Sequence, residues 1–458
     1  MMGRQVEQGA LFYEVRLEER VPADHLLRRV DALLDLGFVH EMMAPHYSTT
    51  GRPSIDPVLM IRMLLVGYLY GIRSDRRLCE EVDLNLAYRW FCRLGLDGRV
   101  PDHSSFSKNR HGRFRDSGLL RQVFERIVER CLADGIASAR HVAVDGSLVF
   151  ADANHDRYVA GVCELPMDGE ATHAVRDYLA DLDTAAPDLE GVQRSPAKCV
   201  SLTDPAAALS RKSGMPRFAY GMNAAIDTAS GIVLDVEAAP ERFADEARAA
   251  RNMIDRMRGR HGVRPDVLAA DKAYGSGPFL AWLERQGIES HIPVIDRSGQ
   301  TSGKLHQSAF RYDAAQDAYV CPQGKLLRPV DGKDSKRRAS GTVGYRARQS
   351  DCGRCPIKSD CTRGSMRVIS RSIHEDVRAR AMARAQTATF ECSQHLRLRV
   401  EHFFGAIKHN DGFRRVRLRG IRGAAEQFLM VAMARNLKRM VTLLAPSPKT
   451  PTSGPAVA

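Results

Sequence analysis

The chain has 458 residues, enough for two to four domains with a substantial core, and its 68 Lys and Arg against 55 Asp and Glu leave a net charge of +13. That balance favours a polyanionic partner, and a charged fraction of 27% belongs to an ordinary globular protein rather than a disordered one. Ten cysteines are too sparse for a secreted disulfide scaffold, no run approaches about eighteen uninterrupted apolar residues, and MMGRQVEQGALF lacks a signal-peptide pattern, so a cytoplasmic protein with no membrane span is expected.

Residues Pro22 to Met43 read as helix, with Leu26, Leu27, Val30, Leu33 and Leu34 returning on one side. HYSTTGRPSIDP breaks the pattern, and VLMIRMLLVGYLYGI, apolar nearly all round, reads as the buried centre of a helical bundle. DRRLCEEVDLNLAYRWFCRLGL continues the helices. In PDHSSFSKNRHGRF, Asp102, Ser104 and Ser105 stand where an N-cap would, ahead of Lys108, Arg110, His111 and Arg113. Residues 15–135 are therefore read as an all-helical N-terminal domain that binds DNA ends, dimerises, or buttresses the next domain; its basic helix makes Lys108 and Arg110 candidate DNA contacts. Cys79, Cys92 and Cys131 lack ligand spacing and read as core.

At Arg140 the period changes. RHVAVDGSLV reads as a short strand ending at Asp145 beside Gly146. FAYGMNAAID and GIVLDVEAAP read as a hairpin, and ERFADEARAARNMIDRMRGR as a strong helix. VLAADKAYGSGPFLAWLERQG repeats the theme, with a strand from Val267 to Ala270, Asp271 at its end, and a glycine turn into a helix. Strand, hairpin, helix, strand, helix, strand is the order of a mixed sheet with helices on its faces, so residues 138–300 are expected to form the first part of an α/β core. Its acids stand at strand ends, where open sheets collect ligands.

Residues 301–371 form a basic insertion. Cys321 in CPQG, with Cys352, Cys355 and Cys361 in CGRCPIKSDC, has spacing that fits a tetrahedral zinc site; reduced, unligated cysteines are the alternative. Residues 372–443 are helical and are expected to complete the core, bringing Glu401 back to the sheet, and 444–458 read as a disordered tail. On the helix carrying Glu401, Val400, Phe403, Phe404 and Ile407 form an apolar stripe, and Glu401, Gly405 and Lys408 fall near one face. Arg397, Arg399, Arg414, Arg415, Arg417, Arg419 and Arg422 surround them, a density suited to phosphates.

Asp145, Asp271 and Glu401 share one reading. Converging carboxylates repel one another unless cations neutralise them, so such a cluster is a natural magnesium or manganese site. Two ions about 4 Å apart activate a water or a DNA 3′-hydroxyl and stabilise the leaving oxygen on a phosphodiester. Lys408 would then contact phosphate. Tyr274 would stack on or hydrogen-bond to DNA, or else pack the strand-to-helix turn. Asp204, Asp227 and Asp235 are the rival acids, Asp227 the strongest of them.

AVDGS around Asp145, ADKAYGS around Asp271, and RLRVEHFFGAIK with Glu401 and Lys408 resemble the three catalytic blocks of bacterial insertion-sequence transposases of the DDE type. YLYGIRSDRRLCEEV and PDHSSFSKNRHGRF are similar to the helical N-terminal domain of the same transposases, and the cysteine-containing insertion looks like that of one branch. The resemblance spans about residues 15 to 440 and implies a ribonuclease-H-like fold, catalytic Asp145, Asp271 and Glu401, and two-metal cleavage and strand transfer. It implies as partners double-stranded DNA with terminal inverted repeats and target DNA, handled by a homodimer. Relatives often place a tyrosine three residues before the arginine that corresponds to Arg397; here Gln394 stands there. A metal-dependent nuclease that does not join ends, and an inactive DNA-binding relative, are the alternatives.

Overall fold

The computed structural model describes residues 14–51, 53–115, 117–162, 165, 172–183, 199–211, 214–240, 245–295, 304–330 and 341–445. The readings of the far N-terminus and of the tail from residue 446 lie outside them. The chain divides into two compact units. One comprises the helices up to Ile136 with Ala406–Phe413 and the segment from Glu426, and the other comprises Ala137–Gly405 with Arg414–Ala425. The last helices therefore do not all complete the sheet unit, as residues 372–443 were expected to do.

In the helical unit, Asp56 starts the helix Pro57–Tyr70 by accepting the N–H groups of Val58 (2.7 Å) and Leu59 (3.0 Å), Pro57 takes the first position, and Gly71 at φ 69° ends it. Met60, Ile61, Met63, Leu64, Leu65 and Val66 are all buried, each stabilising the fold by about 1.5–3 kcal/mol. The expected helix from Pro22 to Met43 is instead two, Leu26–Leu33 and Val39–Met43. The reason is local: Asp35 accepts the N–H of Gly37 (3.0 Å), a turn that competes with helix. Of the three capping candidates before Lys108, Asp102 takes the role, accepting from the N–H of Ser104 (2.9 Å), and the helix His103–Asn109 runs into a π turn, Arg110–Phe114. No single helix among the described residues is long and apolar enough to cross a membrane.

The sheet unit is built on β1 (His141–Phe150). In chain order come β2 (Tyr158–Val159), β3 (Val200–Ser201), β4 (Ala208–Ser210), β5 (Arg217–Asp227), β6 (Val233–Pro240), β7 (Val267–Ala269) and β8 (Glu289–His291). β5 lies antiparallel to β1 on one side and β7 parallel to it on the other, with β8 parallel to β7. β6 and β4 take the far edge of β5, and β3 and β2 extend from β4. This is the mixed, ribonuclease-H-like sheet expected from the sequence, with the helix Asp245–His261 packed on β6, β5 and β1. β1 does not end at Asp145. It runs on to Phe150 because Gly146 continues the ladder opposite Asn223, where a Cβ would come within 2.9 Å of Asn223 Oδ1.

The rival acids hold the fold together. Asp227 accepts the N–H (2.8 Å) and hydroxyl (2.7 Å) of Ser230 and the N–H of Ala139 (3.1 Å), closing the β5–β6 turn. Asp235, also buried, pairs with Arg256 at 2.8 Å. Asp204 accepts from the Tyr220 hydroxyl and from the N–H of Gly420, and burial pushes its carboxyl up to about 6.

The insertion folds as a five-stranded antiparallel sheet: β9 (Arg311–Asp313), β10 (Ala318–Val320), β11 (Leu326–Pro329), β12 (Thr342–Arg346) and β13 (Val368–Ser372), paired in chain order. Phe310, Tyr319, Leu327, Tyr345 and Ile369 give it its own core.

Candidate active site

Asp145 and Asp271 are brought together by strand register. Parallel pairing of β1 with β7 matches His141 to Val267 and Ala143 to Ala269. Continued by two residues, the same offset sets Asp145 beside Asp271, on chains about 4.8 Å apart with side chains on one face. Asp271 lies just beyond β7, where it caps the short turn Lys272–Tyr274 by accepting from the N–H of Ala273 (2.9 Å). Asp145 accepts from the N–H of Gly146 (2.8 Å).

Glu401 arrives on the helix Ala388–His409, whose Val400, Phe403, Phe404 and Ile407 are buried as the apolar stripe requires. Gln394 pins this helix to the strand ends: its amide N–H₂ donates to the carbonyls of Ala270 (3.2 Å) and His291 (2.6 Å). In this chain, then, the position where relatives often carry tyrosine anchors the helix to the backbone next to Asp271. Gln394 Oε1 accepts from Arg397 Nε (3.3 Å), and the Arg397 guanidinium reaches Glu401 at 2.8 Å and Asp145 at 3.9 Å. Arg397 is thus placed as the counter-ion between two of the three acids.

Burial raises the Asp145 carboxyl to about 6; the Gly146 N–H and Arg397 oppose the rise, and the neighbouring Asp271 and Glu401 add to it. Their influence on Asp145 agrees with the register: the three acids share one locale. Among the described residues, no three His, Cys, Asp or Glu side chains converge closely enough to hold an ion. The donors are nonetheless of the right chemistry, hard carboxylate oxygens crowded at a cost in charge repulsion, with a cationic side chain between two of them.

Two residues missed in the sequence border Gly146, the residue after Asp145 on β1. Glu246, in the first turn of the helix Asp245–His261, lies so close to Gly146 that a Cβ there would be 3.6 Å from its Cγ and Oε1. Asn223, opposite Gly146, is buried with no partner for its Oδ1. An acid at a helix start reads in sequence as a dipole or capping residue, and nothing in the linear pattern ties it to β1. Tyr274 is only 1% exposed, its ring 6.2 Å from Phe279, so the packing alternative describes it and no ring face is open to stack on DNA.

Of the other candidates, Lys108 is exposed on its helix, whereas Arg110 is not a surface cation. It is buried against Glu426 (2.7 Å), Asp75 (3.3 Å) and the Tyr68 hydroxyl (3.4 Å), because a cation removed from water needs paired anions. Lys408 lies two turns beyond Glu401 on the same helix. Arg414 and Arg415 are exposed beside the end of β1, where Phe150 donates to the Arg414 carbonyl (3.0 Å) and accepts from the Val416 N–H (2.8 Å). Beyond them Val416 and Leu418 point inward while Arg415, Arg417 and Arg419 stay exposed, a period of two that makes an arginine ribbon.

The four cysteines gather at one end of the small sheet. Cys361 is pushed up by burial, with Arg367 opposing and Cys352, Cys355 and Cys321 adding. Cys321 sits in a tight turn, its Sγ accepting the Lys325 N–H (3.3 Å) and its N–H donating to the Lys325 carbonyl (2.8 Å), with Gly324 at φ 72°. These thiols also fall short of an ion-holding arrangement.

A mixed sheet of ribonuclease-H-like form with two aspartates in register and a glutamate delivered by a late helix defines the class, and comparison with known families supplies the rest. Residues 15–112 match the model of a transposase domain (DUF772), and residues 320–441 that of a transposase DDE domain. The chain is a DDE-type transposase, as its sequence blocks led one to expect. No curated protein matches it. Among solved structures it is similar to a piggyBac transposase synaptic complex with hairpin DNA, at 9% identity and a TM-score of 0.26, over 93% of this chain and 82% of that one.

Proposed function

We propose that this transposase binds the terminal inverted repeats of an insertion sequence and uses Asp145, Asp271 and Glu401 to hold two magnesium or manganese ions for DNA cleavage and strand transfer. The observation that carries the reading is the register of β1 with β7, which sets Asp145 beside Asp271, while the Arg397 bridge ties Glu401 to Asp145. When bound, the ions would activate the attacking water or 3′-hydroxyl and neutralise charge on the leaving oxygen. The chain's own contribution is placement. The sheet orients the two aspartates, Gln394 holds the helix of Glu401 against the strand ends, and Arg397 balances the carboxylates of Glu401 and Asp145.

The exposed arginines from Arg414 to Arg419 would track a phosphate backbone, with Lys108 and Lys408 as further contacts. The spacing of Cys321, Cys352, Cys355 and Cys361 is the ground for a structural zinc site in the insertion, and two element ends handled together call for a homodimer in the DNA complex. The test is strand transfer of end-bearing DNA with Mg²⁺ by the intact protein and by Asp145→Ala, Asp271→Ala and Glu401→Ala. Each substitution is expected to abolish joining while repeat binding persists; full activity in any one removes that residue from the triad. Products that are cut but never joined would replace the transposition reading with that of a nuclease.

A further inference from the structure

The short strand β8 holds the helix of Glu401 through a single residue, His291. It is 2% exposed, and its carbonyl accepts from Gln394 Nε2 at 2.6 Å. Its ring reaches the preceding residue of the same helix, with Nδ1 2.6 Å from Ser393 Oγ, and lies 5.7 Å from the ring of Phe390. Ser393 is 3% exposed, so water has little access to this bond. On the other side of the imidazole, Nε2 stands 3.1 Å from Oε1 of Glu289, two residues back on the same face of β8. The helix before, Glu375–Arg384, is tied to β8 as well, where Arg384 donates to the Ser290 hydroxyl (2.8 Å) and carbonyl (3.4 Å).

The proton positions follow from the partners. A carboxylate only accepts, so Nε2 of a neutral His291 carries the hydrogen and donates to Glu289, which leaves Nδ1 to accept from the Ser393 hydroxyl. Glu289 thereby fixes the tautomer that Ser393 needs. Ser393, Arg397 and Glu401 follow at intervals of four on one face of the helix Ala388–His409, which puts Ser393 about 12 Å from Glu401 along the axis. The Gln394 donations come through a long side chain, which tolerates rotation of the helix about its own axis. The Ser393 bond does not, because a one-carbon side chain held on a rigid, buried ring fixes that rotation. A helix free to turn at Ser393 would carry the Glu401 carboxylate out of place. Neither His291 nor Ser393 is open to DNA, so any effect on the chemistry passes through the helix.

We propose that His291, oriented by Glu289, is a positioning residue for the reaction: through Ser393 it fixes the rotation of the helix that presents Glu401. The proposal rests on the reading of Glu401 as a member of the triad and goes beyond it.

The experiment compares the full-length protein with Ser393→Ala, His291→Gln, His291→Asn and the double variant Ser393→Ala with His291→Gln. Joining of the end-bearing duplex with Mg²⁺ and amide hydrogen exchange are both measured. Gln places its amide where Nε2 stands and keeps the Glu289 contact alone, whereas Asn places its amide where Nδ1 stands and keeps the Ser393 contact. Ser393→Ala and His291→Gln should each join about tenfold slower at saturating duplex, with the half-saturating concentration unchanged, because a misplaced Glu401 slows the chemistry and not binding. The double variant should be no slower than either single one, since both remove the same bond. His291→Asn should restore the rate, and exchange across residues 394–408 should quicken in the slow variants only. Wild-type rates in Ser393→Ala, losses that multiply in the double variant, or slow joining without faster exchange each overturn the proposal. So does a change confined to the half-saturating concentration, or His291→Asn as slow as His291→Gln. If the His291 variants do not fold, Ser393→Ala decides alone by rate and exchange. Glu401→Ala joining at the wild-type rate overturns the triad reading and this proposal together, whereas an inactive Glu401→Ala beside a fully active Ser393→Ala overturns this proposal only.

Discussion

Replacing Asp145 by Asn should make the metal-free protein more stable. The side chain is 18% exposed and crowded by Asp271 and Glu401, and its carboxyl is raised from 3.8 to about 6. At 1.36 kcal/mol per pH unit, keeping it ionised in the folded state costs about 3 kcal/mol at pH 7.5, and a neutral amide of the same shape removes that cost. The sign fixes the pH course. Because the folded carboxyl binds its proton more tightly than the unfolded one, wild-type stability falls as pH rises from 3.8 through about 6. The advantage of Asn is therefore full above that window, roughly halved at pH 5 and nearly gone at pH 4. Urea unfolding in EDTA is the assay, with an upward midpoint shift of roughly 0.5–1 M at pH 7.5. Mg²⁺ should reverse the order by stabilising the wild type and not the variant. A destabilised Asp145→Asn at pH 7.5, or a gain that does not shrink on acidification, would refute the electrostatic reasoning.

Gln394→Ala removes two donations to the carbonyls of Ala270 and His291 and should lower stability by about 1–3 kcal/mol, while strand transfer falls because Glu401 is no longer held in place; urea unfolding and the joining assay read the two effects. Gly146→Ala forces a methyl against Asn223 Oδ1 and should cost about 1–3 kcal/mol, with weaker Mn²⁺ binding as Asp145 shifts; a variant of wild-type stability would show that Asn223 moves freely aside. Arg414→Ala with Arg415→Ala should weaken binding to DNA of any sequence and reduce the slope of log affinity against log salt by about 2, measured by fluorescence anisotropy; an unchanged slope would take both out of the phosphate contacts.

How much of the molecule was legible in its sequence depends on how far each signal reaches along the chain. Long periodic stretches were legible: Pro57–Tyr70 is apolar all round and buried, and the stripe beside Glu401 packs as its spacing requires. Asp271 was legible because a strand, an acid and a glycine turn stand together, and Asp145 was found for the same reason although β1 runs on past it. The glycine that looked like a stop is there for close approach to Asn223, a fact about β5 that β1 alone does not contain. The same limit explains Arg110, whose anions Glu426 and Asp75 are remote in sequence, and Glu246, whose neighbours exist only after folding. Arg397 was visible as a cation, but its role as the bridge between Glu401 and Asp145 depends on where the helix docks. The strands of the insertion, three to five residues each, were too short for an alternating pattern to emerge.

The most direct measurement is a structure of the protein with DNA ends and Mn²⁺, with the ions located by anomalous scattering. The account predicts manganese within about 2.2 Å of carboxylate oxygens of Asp145 and Asp271 and of Asp145 and Glu401, with the Arg397 guanidinium withdrawn from between the last two. Manganese bound elsewhere, with the Arg397 bridge intact and the three carboxylates beyond reach of any common ion, would contradict it.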